Sequence, residues 1–267
     1  MSSSTLIGFS FSSVSRPTLT MLLAGKMAVV TGGGSGIGRA ICQRLANHGA
    51  KLVVADMNKD AAIETVDILG ASNKHSAFSC DVSKSDDVAK LYEFALEQNK
   101  SPPGIVVNCA GITRDSTLLK MSEKNFDDVV AVNLKGVHLV TQVFARSAVS
   151  NISPLSVVNV SSIVGKVGNF GQCNYAATKA AVVAFGKSAA KELALKGVRV
   201  NTVMPGFIRT SMTAAMPEKV LTNICAQVPM GRMGEPDEIA DAVLFLASDM
   251  SSYMTGATIE VTGGLHM

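Results

Sequence analysis

Tyr175 and Lys179 are the residues whose types and spacing most directly indicate chemistry. They stand four positions apart in the stretch Tyr-Ala-Ala-Thr-Lys, so on a helix their side chains lie on one face about one turn apart. An unperturbed tyrosine has a pKa of about 10, which is too high for a base at neutral pH. A neighbouring ammonium favours the phenolate and lowers that pKa. The pair therefore predicts that Tyr175 transfers a proton and that Lys179 adjusts the pKa of Tyr175.

A serine and an asparagine accompany this pair. Ser162 precedes Tyr175 by thirteen residues, just after a predicted strand, and its hydroxyl can hydrogen-bond a substrate oxygen on which negative charge develops. The neighbouring Ser161 is the alternative candidate for this hydrogen bond. Asn133 lies on the preceding predicted helix. These positions lie at the carboxyl ends of predicted strands or on adjoining helices, which is where an open α/β sheet binds its ligand.

A glycine-rich turn predicts a dinucleotide site. The pattern T-G-x-x-x-G-x-G places Gly32, Gly36 and Gly38 between a predicted strand, 27–31, and a predicted helix, 36–48. Such a turn brings backbone N–H groups and a helix N-terminus close to a pyrophosphate. The strand, turn and helix context distinguishes it from an ordinary glycine turn.

Asp56 indicates which dinucleotide binds. It ends the second predicted strand, where a carboxylate accepts hydrogen bonds from the adenosine ribose and repels a 2′-phosphate. Ser35, within the glycine turn, is small and neutral. Both residues predict NAD as the cofactor. The structural alternative is that Asp56 only caps a turn or the next helix.

Short apolar strands alternate with amphipathic helices from Lys26 onward, which predicts a parallel sheet covered on both faces. The fold class is therefore α/β, with a single doubly wound Rossmann domain over 26–267, a mostly parallel sheet of about seven strands and helices on both faces. The predicted strands are 27–31, 52–55, 76–80, 105–107, 156–160, 198–203 and 258–261. The predicted helices are 36–48, 60–69, 85–98, 123–149, 174–196 and 236–247.

Composition excludes several classes of function. The net charge is +3 without a run of basic residues, which argues against a nucleic-acid partner. Five scattered cysteines without a C-x-x-C pair argue against a disulfide framework and against a metal site. No apolar run reaches the ~18 residues that a membrane span needs.

The N-terminal stretch 1–25 differs from the rest of the chain. Residues 1–20 are rich in serine and threonine and contain no acidic residue, which is typical of an organelle transit peptide. We expect a flexible extension here and a mitochondrial matrix location. The alternatives are a disordered tail or a start at Met21, with a cytoplasmic location.

The motifs together resemble those of the short-chain dehydrogenase/reductase family, over residues 26–267. The resemblance implies that a catalytic tetrad consists of Asn133, Ser162, Tyr175 and Lys179, with the asparagine ordering a water that links Lys179 to solvent. It implies that the cofactor is bound by Gly32, Ser35, Gly36, Ile37, Gly38, Asp56, Asp81, Val82, Asn108, Ala110, Gly111, Tyr175, Lys179, Pro205, Gly206, Ile208 and Thr210. Cys109 departs from the family's N-N-A-G pattern, and we expect that a small thiol is tolerated there.

Within the family the chain most resembles the 3-oxoacyl reductases of fatty-acid synthesis and the type 8 group of animal 17-beta-hydroxysteroid dehydrogenases. The stretches 109–113, 161–169 and 261–267 carry this resemblance. It implies an apolar small-molecule substrate, either a hydroxysteroid or a (3R)-3-hydroxyacyl thioester, and lipid metabolism. It also implies a tetramer, homomeric or mixed with a second short-chain reductase, assembled through helices around 127–149 and 174–196.

Residues 207–228 are expected to include a substrate lid, since 211–228 is rich in Met and Ala; an ordinary packed helix is the alternative. Two other functions remain open. One is an NADPH-dependent 3-oxoacyl-[acyl-carrier-protein] reductase, although the uncharged segment 151–154 lacks the basic residues that dock an acidic carrier. The other is a mainly structural NAD-binding subunit of a mixed tetramer.

Overall fold

A seven-stranded parallel sheet forms the centre of the molecule. The structure is a computed structural model that describes residues 21–70, 74–210, 213 and 218–266, with the side chains of 218–220 left aside. The strands are β1 (Met27–Thr31), β2 (Lys51–Asp56), β3 (Ser76–Ser79), β4 (Ile105–Asn108), β5 (Leu155–Val160), β6 (Val198–Pro205) and β7 (Thr258–Val261). Each pair of neighbouring strands runs parallel.

Helices connect the strands and cover both faces of the sheet. In the described part of the chain they are α1 (Gly36–Asn47), α2 (Lys59–Leu69), α3 (Ser85–Asn99), α4 (Glu123–Val130), α5 (Val137–Ser150), α6 (Val164–Val167), α7 (Cys173–Leu193), α8 (Glu218–Gln227) and α9 (Pro236–Ala247). A π-helical turn, Ala131–Gly136, joins α4 to α5. Short 3₁₀ turns occur at Leu118–Lys120, Ala194–Lys196 and Asp249–Ser251.

The strand order creates a crevice at one edge of the sheet. The order is β3-β2-β1-β4-β5-β6-β7, so the chain direction across the sheet reverses between β1 and β4. Loops that leave the carboxyl ends of these two strands diverge, and such a switch point is the usual ligand site of an open α/β sheet.

Side-chain alternation along the strands divides the core into two layers. Ala28 and Val30 of β1 pack on the side of α1 and α9, whereas Met27 and Val29 pack on the side of α3, α5 and α7. All five residues of β1 are buried. Burial on both faces is why these strands are nearly continuous apolar runs, and it holds the loops at the carboxyl edge in place.

The predicted fold class is confirmed, with differences in detail. The predicted helix 123–149 is interrupted by the π turn, and the predicted helix 174–196 ends in a 3₁₀ turn after Leu193. Packing against the core begins at Leu23, which is fully buried and whose N–H donates to the His48 carbonyl, ahead of the predicted start at Lys26. The rest of the predicted extension, 1–20, lies outside the described residues.

None of the helices in the described ranges combines the length and apolar character required to cross a membrane. Over those same ranges, histidine, cysteine and carboxylate side chains form no cluster that could hold a metal ion.

Candidate active site

The glycine turn after β1 is too tight for side chains. A Cβ at Gly38 would overlap the carbonyl oxygen of Gly32, and a Cβ at Gly32 would lie 2.7 Å from the Cα of Ala110 in the loop after β4. The backbone of Gly32 also has a positive φ of 67°, which favours glycine. The turn is thereby pressed against the β4 loop, and the N-terminus of α1, with its partial positive charge, lies at the crevice.

Asp56 faces this turn from the end of β2. One carboxylate oxygen accepts a hydrogen bond from the Gly34 N–H at 2.9 Å, and the other accepts from the Asn58 N–H at 2.9 Å. Each oxygen keeps a lone pair for a further donor. A nearby guanidinium, that of Arg39, donates to the Gly34 carbonyl and to both carboxylate oxygens of Glu64.

The predicted cofactor-binding residues after β3 and β4 differ in what they contact. The Ala110 backbone lies against the glycine turn, close to Gly32. The Asn108 side chain is instead buried and donates to Thr141 and to Asn159, so it joins β4 to α5 and β5 and is not brought to the crevice. The Asp81 carboxylate accepts hydrogen bonds from both the N–H and the hydroxyl of Ser83, which lower its pKa.

Asn133 is held at the centre of the site by the π turn. Its amide accepts a hydrogen bond from the Ile112 N–H at 2.8 Å and donates to the Ile112 carbonyl at 3.0 Å. The same amide donates to the Thr178 hydroxyl of α7. At the end of the turn, a Cβ on Gly136 would lie 2.7 Å from Val82. A π turn inserts one extra residue into a helix and often marks a functional site; here it turns an amide towards the β4 loop.

Gly111 connects this amide with Lys179. A Cβ at Gly111 would lie 3.4 Å from the Asn133 amide oxygen and 3.5 Å from the Lys179 ammonium. Three predicted site residues, from the loop after β4, the π turn and α7, therefore lie close together.

Ser162 and Ser161 have different partners. The Ser162 hydroxyl accepts a hydrogen bond from the Val164 N–H at 3.2 Å and lies close enough to Tyr175 to lower the pKa of its phenol, whereas the Ser161 hydroxyl donates to the backbone carbonyl of Lys179 at 2.7 Å. The structure thus brings the second serine, not the first, to the tyrosine. Ser161 instead fastens α7 to the loop after β5.

Lys179 is buried beneath Tyr175. Its ammonium donates to the Val160 carbonyl at 2.8 Å and lies 5.6 Å from the centre of the Tyr175 ring. Burial disfavours the charged form and lowers its pKa from 10.5 to about 8.

The segment after β6 closes the far side of the crevice. The Thr210 side chain would lie 3.5 Å from a Cβ on Gly36 of the glycine turn, and Gly206 packs against the Thr262 backbone. Ile208 is buried and forms an isolated parallel bridge with Gly234. Of the predicted lid, 211, 212 and 214–217 lie outside the described residues, and helix α8 follows at Glu218.

Comparisons with known proteins place this geometry in a family. Residues 32–266 match the family model described as enoyl-(acyl carrier protein) reductase. The chain belongs to the short-chain dehydrogenase/reductase family. It is an oxidoreductase of that family, whose members bind nicotinamide dinucleotides.

Three relatives show how far the similarity extends within the family. The chain is 51% identical over 253 residues to the "(3R)-3-hydroxyacyl-CoA dehydrogenase" of Canis lupus familiaris, which covers 92% of this chain and 98% of the relative. It is 50% identical to the protein of the same name from Homo sapiens, covering 92% and 97%. It is 43% identical to a "3-oxoacyl-[acyl-carrier-protein] reductase" of Thermotoga maritima, covering 92% and 99%.

The crevice fits the dinucleotide that this short-chain dehydrogenase/reductase requires. The glycine turn leaves no room for a Cβ at Gly32 or Gly38, so its backbone folds tightly in front of the α1 N-terminus. At the adenosine end, the Asp56 carboxylate still has acceptor capacity. At the other end, Tyr175 and Lys179 lie together.

The pKa of Tyr175 was expected to be lowered by Lys179 and an oxidised nicotinamide together, but without the cofactor it is shifted the other way. Among the chain's own groups, burial raises the pKa of this phenol, and the Ser162 hydroxyl lowers it only in part. The Cys109 thiol and the Asp115 carboxylate raise it further. The expected lowering by Lys179 is not found. The chain by itself therefore keeps Tyr175 protonated at neutral pH.

Cys109 and Asp115 are residues near the tyrosine that the motifs did not assign. Burial raises the pKa of the Cys109 thiol to about 11, so it stays neutral beside Lys179. The departure from N-N-A-G at Cys109 was visible in the sequence, but its closeness to Tyr175 was not. No sequence motif indicated Asp115, because its hydrogen-bond partner lies more than fifty positions away in the sequence.

Lys179→Met is expected to stabilise the cofactor-free protein at pH 7. The unfolded chain keeps this lysine protonated up to pH 10.5, whereas the folded chain releases the proton at about 8, so the wild type gains stability as pH rises between these values. The difference in free energy of unfolding between variant and wild type should shrink by about 3 kcal/mol over that window. Denaturant unfolding at pH 7 and pH 10.5 measures it.

The matched control is Lys187→Met, an exposed lysine of the same helix. Its effect on stability should be small and similar at both pH values. A stability difference for Lys179→Met that does not change with pH would contradict a buried, destabilised ammonium.

Proposed function

We propose that this protein is an NAD-dependent dehydrogenase that interconverts a secondary alcohol and a ketone, with (3R)-3-hydroxyacyl-coenzyme A thioesters as substrates. The observation that carries the proposal is the placement of Tyr175 over the buried Lys179, whose ammonium lies 5.6 Å from the centre of the ring, at the carboxyl edge of the sheet. The buried Ser162 hydroxyl lies close enough to lower the pKa of the phenol in part. The dinucleotide crevice opens at the same edge.

Tyr175 is the proton-transfer residue of this proposal. In the reductive direction its protonated hydroxyl donates to the carbonyl oxygen, which suits the raised pKa that burial causes. In the oxidative direction the phenolate accepts the alcohol proton. A bound nicotinamide supplies or accepts the hydride.

Ser162 and Lys179 support that transfer. The Ser162 hydroxyl, buried beside the phenol, donates to the substrate oxygen and stabilises the negative charge that develops there. Lys179, with a pKa of about 8, exchanges a proton near neutral pH. Asn133 is a positioning residue, because its amide holds the Ile112 backbone beside Gly111 and Lys179.

Preference for NAD over NADP is supported by the charges at the adenosine end. The Asp56 carboxylate can accept both ribose hydroxyls and would repel a 2′-phosphate. Arg39 is the basic side chain closest in sequence to the turn, and its guanidinium is paired with Glu64 at 2.6 Å. That pairing leaves it little positive charge with which to attract a 2′-phosphate.

Two relatives named as (3R)-3-hydroxyacyl-CoA dehydrogenases support a thioester substrate. Hydroxysteroids, which the sequence also predicted, are the second substrate to test. The bacterial relative named as a carrier-protein reductase favours the NADPH-linked alternative, and Asp56 argues against it. A mainly structural subunit would bind NAD without turning over any of these substrates.

The test is a substrate panel with purified full-length chain, read by the absorbance of reduced nicotinamide. The panel contains a (3R)-3-hydroxyacyl-CoA, its (3S) epimer, estradiol and 3-oxoacyl thioesters, each with NAD(H) and NADP(H). We expect fast NAD reduction with the (3R) thioester and slow reaction with its epimer. Tight NAD binding without turnover of any substrate would refute the proposal and favour a structural subunit.

We propose that the chain assembles into a tetramer through α5 and α7. The tetramer is either homomeric or mixed with a second short-chain reductase. A groove of about 570 Å³ lies between these helices and is lined by Ala145, Val149 and Phe185 among others. Light scattering on the purified chain, alone and with such a subunit, measures the state. The proposed location is the mitochondrial matrix, which the serine-rich stretch 1–20 supports.

A further inference from the structure

The loop after β4 is fastened across the first turn of α7, where Tyr175 lies. The Asn174 amide donates to the Arg114 carbonyl at 3.0 Å, and the Ser116 N–H donates to the Gly171 carbonyl at 2.8 Å. Residues 114–116 are thereby held at the mouth of the active site.

Asp115, at the centre of that loop, has its carboxylate oriented by a buried side chain. The amide nitrogen of Gln172 donates to both carboxylate oxygens of Asp115, at 3.1 and 3.0 Å. The amide oxygen of Gln172 accepts from Asn169 at 2.8 Å, which orients the amide. Gln172 is buried, whereas Asp115 is exposed. A buried amide with both ends engaged holds the carboxylate in one place.

The hydrogen bonds to Gly171 and Asn174 hold this carboxylate close to the first turn of α7, on which Tyr175 lies. Its negative charge is accordingly among the influences that raise the pKa of the Tyr175 hydroxyl. Of the other ionisable groups there, the Cys109 thiol is neutral and Lys179 lies behind the ring with its ammonium bonded to Val160. The guanidinium of the neighbouring Arg114 donates to the Thr113 carbonyl, whereas the Asp115 carboxylate is bound by Gln172.

We propose that Asp115, aimed by Gln172, is a specificity-determining residue that admits neutral 3-hydroxyacyl esters and thioesters and rejects free 3-hydroxycarboxylates. The inference rests on the proposed function. In a 3-hydroxyacyl group the carboxyl carbon is two bonds from the carbon that carries the hydroxyl. A free acid whose hydroxyl reached Tyr175 would bring a second negative charge towards Asp115, whereas a thioester brings none.

The size of the discrimination follows from Coulomb's law. Two unit charges several ångströms apart near a protein surface repel strongly enough to lower kcat/KM on the order of tenfold. Both charges are partly in contact with water, so added salt should reduce the effect.

The experiment compares Asp115→Asn with the wild type on two small substrates, (R)-3-hydroxybutyrate and its methyl ester, with NAD as cofactor. These substrates differ in charge and little in size. Asparagine keeps an acceptor for Gln172 and removes the charge. We expect the variant to raise kcat/KM for the free acid on the order of tenfold and to leave the ester nearly unchanged. Asp67→Asn, an exposed acid of α2, is the control and should change neither.

If the variant folds poorly, a measurement on the wild type alone tests the inference. Raising the ionic strength should increase kcat/KM for the free acid relative to the ester, because screening weakens the repulsion.

An unchanged ratio of acid to ester, in the variant and with salt, would overturn the inference. It would mean that Asp115 only holds the loop on α7, since a structural role lowers both activities together. The proposed function would survive that result, because the wild type would still oxidise the ester. A wild type that oxidised neither the ester nor the coenzyme A thioester would overturn both.

Discussion

Tyr175→Phe is expected to lower kcat by about 10³-fold or more in both directions while NAD binding stays close to that of the wild type. Phenylalanine keeps the ring above Lys179 and removes the only atom of the side chain that can give or take a proton. The Ser162 hydroxyl remains beside the substrate oxygen, so some turnover should persist from charge stabilisation alone. Steady-state rates with a (3R)-3-hydroxyacyl-CoA and a titration of NAD binding measure the two quantities.

Tyr253→Phe provides the matched control, because Tyr253 is fully exposed and should tolerate the change without loss of rate. Tyr175→Phe with a rate within a factor of a few of the wild type would contradict the assignment. The proton would then have to come from another group or from water.

Asp56→Ala is expected to have the second largest effect, on the choice of cofactor. The variant loses a charged acceptor for the ribose hydroxyls, and hydrogen bonds to charged groups are worth about 1.5–3 kcal/mol each. It also loses the repulsion of a 2′-phosphate. We therefore expect the ratio of kcat/KM for NAD to that for NADP to fall by about 10²-fold or more. Rates with each cofactor at a saturating concentration of thioester measure the ratio.

The Gly34 N–H also loses its partner in this variant, so a damaged turn must be distinguished from altered selectivity. Asp56→Asn keeps an acceptor for Gly34 and should shift the ratio in the same direction. Asp60→Ala, an exposed acid at the start of α2, should leave it unchanged. An equal fall with both cofactors would indicate that Asp56 acts only as a turn cap.

Local patterns predicted most of the fold because burial and turn chemistry leave clear signals. The alternation of apolar strands with helices follows from a parallel sheet that is covered on both faces. The glycines at 32 and 38 were predictable because no other residue fits their contacts. Strand ends were displaced by a residue or two, since helix and strand termini depend on hydrogen bonds beyond the local segment.

The π turn around Asn133 could not be read from the sequence. The turn depends on distant partners, namely the Ile112 backbone and the close contact of Gly136 with Val82. Asn108 was assigned to the cofactor by its position in the motif, but its partners on α5 and β5 hold the side chain in the core.

Electrostatic balance was the least predictable property of the site. A tyrosine and a lysine one turn apart predict a lowered phenol pKa, but the result depends on how deeply both are buried. Residues from β6 and the segments around Val228 and Leu265 form the apolar cluster against which Tyr175 packs. Their burial of the phenol outweighs any help from Lys179, and none of these positions is close to Tyr175 in the sequence.

Transfer of deuterium from the carbinol carbon to the nicotinamide tests the account most directly. The purified protein is mixed with NAD and a (3R)-3-hydroxyacyl-CoA deuterated at the third carbon, and the reduced cofactor is analysed by mass spectrometry. Hydride transfer within one site predicts one deuterium in each molecule of NADH formed, and almost no product with Tyr175→Phe. NADH without deuterium, or no NADH although both ligands bind, would contradict it.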